Sequence, residues 1–256
     1  MTRAVSRRTL PLLALLALLA GAAGCFNPFD PLISARRGVS EPPPVPIDPR
    51  STLLLFKWCW ENRAIEEYRE LFTDDYIFVF SETDSAGNAF RDVPWTREDE
   101  LISQTNLFVG GSATEPPADR ITLEFTNTLN TFPSPFGHHH PDWHKVIRAE
   151  VFLRVTRGES TLEVRGPGLF YFVRGDSAGL PEELVQRGFG PDPNRWYIER
   201  WEDETNTGGA GAFSARRVTH AASATGTQTH TEPLPLPPHL DTWGAVKEYF
   251  RGASRF

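Results

Sequence analysis

From Leu54 the residues Leu54, Trp58, Glu61, Ile65, Tyr68 and Phe72 recur at spacings of three to four. That is a helical stripe with one charged interruption. Asn62-Arg63 predicts a turn between two short helices, and Thr73-Asp74-Asp75 ends the helical pattern. Tyr76-Ile77-Phe78-Val79-Phe80 is a β-rich aromatic run and predicts a strand. After a polar loop, Pro94 to Asp99 reads as a helix start, with Thr96 as N-cap and Asp99 at the third helical position, a loose capping box. The helix is expected to run to about Phe108 and to bury Leu101, Ile102 and Leu107 or Phe108.

The period then changes from helix to strand. Ile121, Leu123, Phe125 and Leu129 alternate with polar residues. Lys145 to Thr156 sets Ile147, Ala149, Val151, Leu153 and Val155 on one face, and Val146, Arg148, Glu150, Phe152 and Arg154 on the other. Thr161 to Arg174 is a longer strand in which Gly166-Pro167-Gly168 predicts a bulge or bend. Trp196 to Glu202 is the last strand of this block. Aromatic residues on both faces of several strands predict a sheet covered on both sides.

The flanks carry no such periodicity. Arg3, Arg7 and Arg8 precede an apolar run from Leu10 to Ala20 with seven leucines, and Ala22-Ala23-Gly24 leads into Cys25. A run this short reads as a secretory signal, since a membrane span takes about 20 apolar residues. Residues 26–50 read as a tether, with five prolines between Glu41 and Pro49 favouring an extended, semi-rigid spacer. The domain is expected over residues 51–204, and a flexible linker rich in Gly, Ala, Ser, Thr and then Pro over 205–240. In the segment 241–256, Asp241-Thr242 caps a short helix from Trp243 to Arg251 whose stripe is Trp243, Val246, Tyr249 and Phe250. Alone in water such a helix is marginal, so it must dock. The expected berth is the outer face of its own sheet, over Val146, Phe152 and Tyr171; exchange into a homodimer is the alternative.

Composition sharpens this picture. The chain has 256 residues, 39% of them hydrophobic, with 18 Phe and 7 Trp, enough for a sizeable core. With 26 Lys+Arg against 33 Asp+Glu the net charge is −7, and loss of the three arginines in residues 1–24 leaves 23 bases against the same 33 acids. An acidic chain lacks the basic face a nucleic-acid partner requires. Two cysteines exclude a disulfide scaffold. Cys59, within Phe56-Lys57-Trp58-Cys59-Trp60, reads as a small buried hydrophobe.

Two sets of resemblances, one in the N-terminal signal and one in the domain, add to these readings. Ala22-Ala23-Gly24-Cys25 resembles the bacterial lipobox, which implies cleavage before Cys25 and a diacylglyceryl group on its thiol. Phe26 stands where Asp commonly retains lipoproteins at the inner membrane, which implies the outer membrane, facing the periplasm or the cell surface. Ser6-Arg7-Arg8-Thr9-Leu10 resembles the start of a twin-arginine signal, but Pro11 breaks the match, so general secretion is expected. The resemblance in the domain rests on Ala64 to Phe78, on Trp95-Thr96-Arg97-Glu98-Asp99-Glu100, and on Trp196-Tyr197-Ile198-Glu199-Arg200-Trp201. In their order these segments resemble the nuclear transport factor 2-like superfamily, including the SnoaL-like proteins, over about residues 51–204. The fold implied is α+β: a cone-like, curved, mainly antiparallel sheet packed around N-terminal helices, with a pocket at the open end. Such cones host isomerases, dehydratases, epoxide hydrolases and pure binding modules, so the fold alone does not choose the chemistry.

Candidate chemistry is sparse. His138, His139, His140 and His144, with Asp142, offer metal-ligand types. Consecutive histidines cannot all face one ion, and Pro135, Gly137 and Pro141 mark a solvated loop, so no metal and no cofactor are expected. Polar residues expected to face the pocket are Trp58, Tyr76, Trp95, Asp99, Arg148, Glu150, Tyr171 and Arg200. Asp99 has an equal claim as a first-turn helix anion, and Arg148 with Glu150 as a surface ion pair. There is no Gly-rich phosphate loop, nucleophile elbow or paired CxxC. The expectation is a membrane-anchored, non-catalytic module for a small apolar ligand or a protein partner. The alternative is a SnoaL-like hydrolase, dehydratase or isomerase using a pocket carboxylate or His, and the content of the pocket decides between them.

Overall fold

The computed structural model describes residues 41–90, 92–111, 116–175, 180–205, 236 and 240–252. The signal, Cys25, most of the tether and nearly all of the linker lie outside the described residues. Helix α1 (Pro49–Asn62) opens with Asp48 as N-cap: its carboxylate accepts from the Ser51 N–H at 2.7 Å, and the Ser51 hydroxyl oxygen accepts from the Asp48 N–H at 2.9 Å. With Pro49 at the first helical position, this reciprocal cap starts the helix two residues before Ser51. Arg63, at φ 54°, ends it, and α2 (Ile65–Arg69) follows, as the Asn62-Arg63 turn predicts.

The buried face of α1 is Leu53, Phe56 and Trp60, with Cys59 beside them, whereas Leu54 is 39% exposed and Trp58 is half-buried. The stripe read from the sequence is displaced by one residue, because the apolar block Leu53-Leu54-Leu55-Phe56 fits more than one helical face. Burial pushes the Cys59 thiol well above its ordinary range, in keeping with a packing role.

Strand β1 (Phe72–Val79) begins earlier than the aromatic run suggests, since Phe72 already pairs with Ile198. Strand β2 (Trp95–Thr96) leads into helix α3 (Arg97–Phe108), whose cap is the expected one: Thr96 Oγ1 accepts from the Asp99 N–H, and Asp99 Oδ2 accepts from the Thr96 N–H at 3.0 Å. Leu101, Leu107 and Phe108 are buried, but Ile102 is 36% exposed. Strands β3 (Arg120–Phe125), β4 (Thr131–Pro133), β5 (His144–Arg157), β6 (Ser160–Arg174) and β7 (Trp196–Asp203), with the short helix α4 (Glu182–Gln186) before β7, complete a seven-stranded sheet of order β2-β1-β7-β6-β5-β3, with β4 also on β5. Only β1 and β7 run parallel. This is the curved, unclosed, mainly antiparallel α+β cone that the resemblance implies.

Ile147, Ala149, Val151, Leu153 and Val155 line the inner face, as their alternation requires. The bulge expected at Gly166-Pro167-Gly168 is absent, because β5 and β6 pair in unbroken register from His144↔Val173 to Arg157↔Ser160. Gly168 is needed for close approach instead: a Cβ there would lie 2.8 Å from the Trp201 indole nitrogen. The irregularity falls against β7, where Tyr171 pairs with Arg200 but Phe172 with Ile198, leaving Glu199 as the extra residue.

The largest correction concerns the C-terminal helix, α5 (Trp243–Gly252). Its cap is Thr242, whose hydroxyl oxygen accepts from the Ala245 N–H at 2.9 Å. It lies inside the cone rather than on the outer face of the sheet. Trp243 meets Trp60 at 5.9 Å and Trp201 at 5.2 Å between ring centroids, and Trp243, Val246 and Phe250 join the main core. Along α3, Ser103 Oγ donates to the Lys247 carbonyl at 2.8 Å and Asn106 Nδ2 to the Phe250 carbonyl at 2.7 Å. The Phe250 carbonyl is one of the last four of α5, which the helix cannot pair itself, and the bond to the Lys247 carbonyl ties the helix to α3 one turn earlier. The inner berth wins because it buries Trp243, Val246 and Phe250 in the main core, with Tyr249 partly buried beside them, while the outer face around Val146, Phe152 and Tyr171 is already covered. There Arg165 lies 4.1 Å over the Phe152 ring, and Phe136 stacks on Tyr171 at 5.1 Å.

Candidate functional site

The polar centre of the cone is Glu100, in the first turns of α3 and fully buried. Tyr68 Oη, from α2, donates to Glu100 Oε1 at 2.6 Å, and the Trp95 indole N–H, from β2, donates to Oε2 at 3.0 Å. Lys247 Nζ, from α5, donates to both oxygens. The same ammonium sits over the rings of Trp201, at 4.1 Å, and Phe78, at 4.7 Å. Burial lowers the Lys247 pKa and the Glu100 carboxylate opposes that fall. Burial, and then Glu100, push the phenols of Tyr68 and Tyr76 well above their ordinary range.

A carboxylate offers about four lone-pair sites. Here two are taken by Lys247, one by Tyr68 and one by Trp95, so none is left for a substrate proton. A general base needs a free lone pair aimed at the reacting group. In this arrangement Glu100 therefore anchors α5. Around it, Tyr76 Oη and the indole nitrogens of Trp60, Trp201 and Trp243 are buried without a hydrogen-bond partner in the structure.

A second anchor lies at the start of α5. Thr242 Oγ1 donates to Asp84 Oδ2 at 2.6 Å, and Asp203 accepts from the Thr205 N–H at 2.8 Å and the Gly244 N–H at 3.3 Å. Burial pushes the Asp203 pKa up to about 6, the Thr205 and Gly244 hydrogen bonds oppose the rise, and Asp84 adds to it. The Lys247 ammonium is the facing cation. A carboxyl whose folded pKa is raised binds more protons when folded, so its charge costs stability above about pH 6 and that cost fades as pH falls toward 3.8. Asp203→Asn is therefore expected to gain stability relative to the parent by about 1.5 kcal/mol between pH 5 and pH 7.5. Urea unfolding of both chains at the two pH values measures this, and an equal difference at both would contradict it.

The eight residues expected to face the pocket divide. Tyr76 and Trp95 are in the interior. Trp58 is half-buried, and the inward indole of α1 is Trp60. Asp99 caps α3 and pairs with Arg251 at 2.6 Å, at the rim. Arg148 pairs with Glu150 at 2.7 Å and with Glu204 at 2.9 Å on the exposed sheet face. Tyr171 Oη donates to Glu202 Oε2 at 3.1 Å and Arg200 Nε to Glu202 Oε1 at 2.6 Å, also on the outside. The residues missed are Glu100, Lys247, Tyr68, Trp60, Trp201 and Trp243. Glu100 had a signal, since it is the one acid of Glu98-Asp99-Glu100 that falls on the face of Leu107 and Ser103. Lys247 had none, being the lone cation within an apolar stripe.

No protein-family model matches the chain, and no curated protein matches it in sequence. Among solved structures it is similar to a nuclear transport factor 2-like superfamily protein from Salmonella enterica, at 11% identity and TM-score 0.37, over 63% of this chain and 92% of that one. It is similar also to a conserved protein from Planctomyces limnophilus, at 15% identity and TM-score 0.38, over 60% and 89%.

Outside the cone, the histidine run does not act as one unit. His138 stacks on Phe136 at 6.0 Å, and His140 Nδ1 accepts from the Asp142 N–H at 3.3 Å beside Trp143. His139 and His144 stack on each other at 4.0 Å and both face Glu199. Burial pushes the Glu199 carboxyl up to about 7 and lowers His139.

Proposed function

We propose that this chain is a bacterial lipoprotein, anchored through Cys25, whose cone is a non-catalytic binding or scaffold module that engages partners by its outer surface. The observation that carries the reading is the occupied interior: Trp243, Val246, Phe250 and the Lys247–Glu100 pair stand where a cone enzyme would hold its substrate. A protein partner fits better than a small apolar ligand. The open groove of about 690 Å³ outside α3 mixes Leu101 and Ile102 with Arg69, Arg97, Asp74 and Glu98, a polar-rimmed apolar strip of the kind that proteins use. The lipobox-like Ala22-Ala23-Gly24-Cys25 supports lipid attachment. The proline-rich stretch expected to act as a spacer belongs to the domain instead: the Trp196 N–H donates to the Pro46 carbonyl at 2.9 Å, and Pro46 and Pro49 are buried.

A second reading has one observation in its favour. The unpartnered Tyr76 hydroxyl and three indole N–H groups beside Glu100 are the furniture of a SnoaL-like pocket that departure of α5 would open. An environment-sensitive apolar dye separates the two. The full chain is expected to show no saturable binding inside the cone, and saturable binding by the intact chain would favour the enzyme reading. For the anchor, Cys25→Ser is expected to move the protein from the membrane fraction to the soluble periplasm or medium, and unchanged membrane association would refute it.

A further inference from the structure

We infer that His139, His144 and Glu199 form a binding site for one zinc-class divalent cation on the outer face of the sheet. The inference is independent of the proposed binding role of the cone. The three residues come from separate parts of the chain: a turn in the loop before β5, the first position of β5, and β7. Glu199 is the extra residue of the β6–β7 irregularity, at the point where β1 also loses register against β7. Such a bulge re-aims one side chain, and here it turns a carboxylate toward two imidazoles instead of along the sheet.

The three side chains are close enough to converge on a small cation after rotations that unstack the His139 and His144 rings, whose centroids are 4.0 Å apart. Ligand bonds of 2.0–2.2 Å in a tetrahedral site place the ligand atoms roughly 3.3 Å apart. Glu199 Oε1 is 3.2 Å from His144 Nδ1 and 3.8 Å from His139 Nδ1, and one ligand atom from each residue lies within 4.8 Å of the others. The side chains are 14%, 19% and 17% exposed for His139, His144 and Glu199. They are sheltered enough to be held and open enough for water to complete the coordination. His139 Nδ1 also lies 2.9 Å from Ser134 Oγ, and binding the cation through that nitrogen gives up this hydrogen bond. Two imidazoles and one carboxylate suit zinc, cobalt or nickel, whereas calcium and magnesium favour oxygen donors. Bound there, the cation pins the histidine loop to β7. His138 and His140 stand outside the ligand group: His138 lies edge-on to His139 at 4.4 Å and against Phe136, and His140 accepts within its own turn.

The test uses the full chain, purified without a polyhistidine tag and titrated with Zn²⁺ against a competing chromophoric chelator. One equivalent per chain is expected, and Co²⁺ in its place is expected to give visible absorption of a four- or five-coordinate centre. His144→Ala and Glu199→Gln should each weaken binding by about tenfold or more, while His138→Ala and His140→Ala should leave it within about twofold. Thermal midpoints measured without metal confirm that each variant is folded. Failure to bind one equivalent, or a loss equally large in the His138 and His140 variants, would overturn the site and reduce the run to scattered surface histidines.

Discussion

Lys247→Met alone is expected to destabilise the protein by about 3–5 kcal/mol, because it leaves the Glu100 carboxylate buried with only neutral donors. Glu100→Gln should cost a similar amount by stranding the ammonium over Trp201 and Phe78. The double variant should recover much of the loss, since Gln still accepts from Tyr68 or Trp95 and Met keeps the volume of the lysine stem. Denaturant unfolding of the four chains gives the coupling directly. Additive single losses would mean that the two groups do not share one buried site.

Trp243→Ala is expected to cost about 3–5 kcal/mol and to lower the thermal midpoint by about 10 °C. The ring is fully buried against Trp60 and Trp201, so its removal leaves a cavity among aromatic side chains. The loss should be independent of protein concentration, because the contacts lie within one chain. A change confined to oligomeric mass would support the exchange of α5 between two copies instead.

The sequence was informative where local pattern is enforced by burial. The β5 face from Ile147 to Val155, the Thr96 cap and the Thr242 cap all follow from spacing and residue type. It misled where several registers satisfy one apolar block, as at Leu53 to Phe56. It misled again where a glycine has two uses: Gly168 admits the Trp201 ring and makes no bulge. The site was legible only in part. Tyr76 and Trp95 are marked by their aromatic strands, but strand parity places Tyr171 and Arg200 outside. The pairing of Glu100 with Lys247 spans the whole domain and the linker, so no local signal joins them. The amphipathic stripe of α5 said that the helix must dock, and only the shape of the cone said where.

The central claim is that α5 is a permanent part of the cone interior. Amide hydrogen exchange across Val246 to Phe250 in the full chain tests it most directly. If α5 fills the cone, these amides exchange as slowly as those of the β5–β6 hairpin and open only with global unfolding. Exchange at the rate of a free peptide, with the β5–β6 amides still protected, would show an open cone and contradict the account.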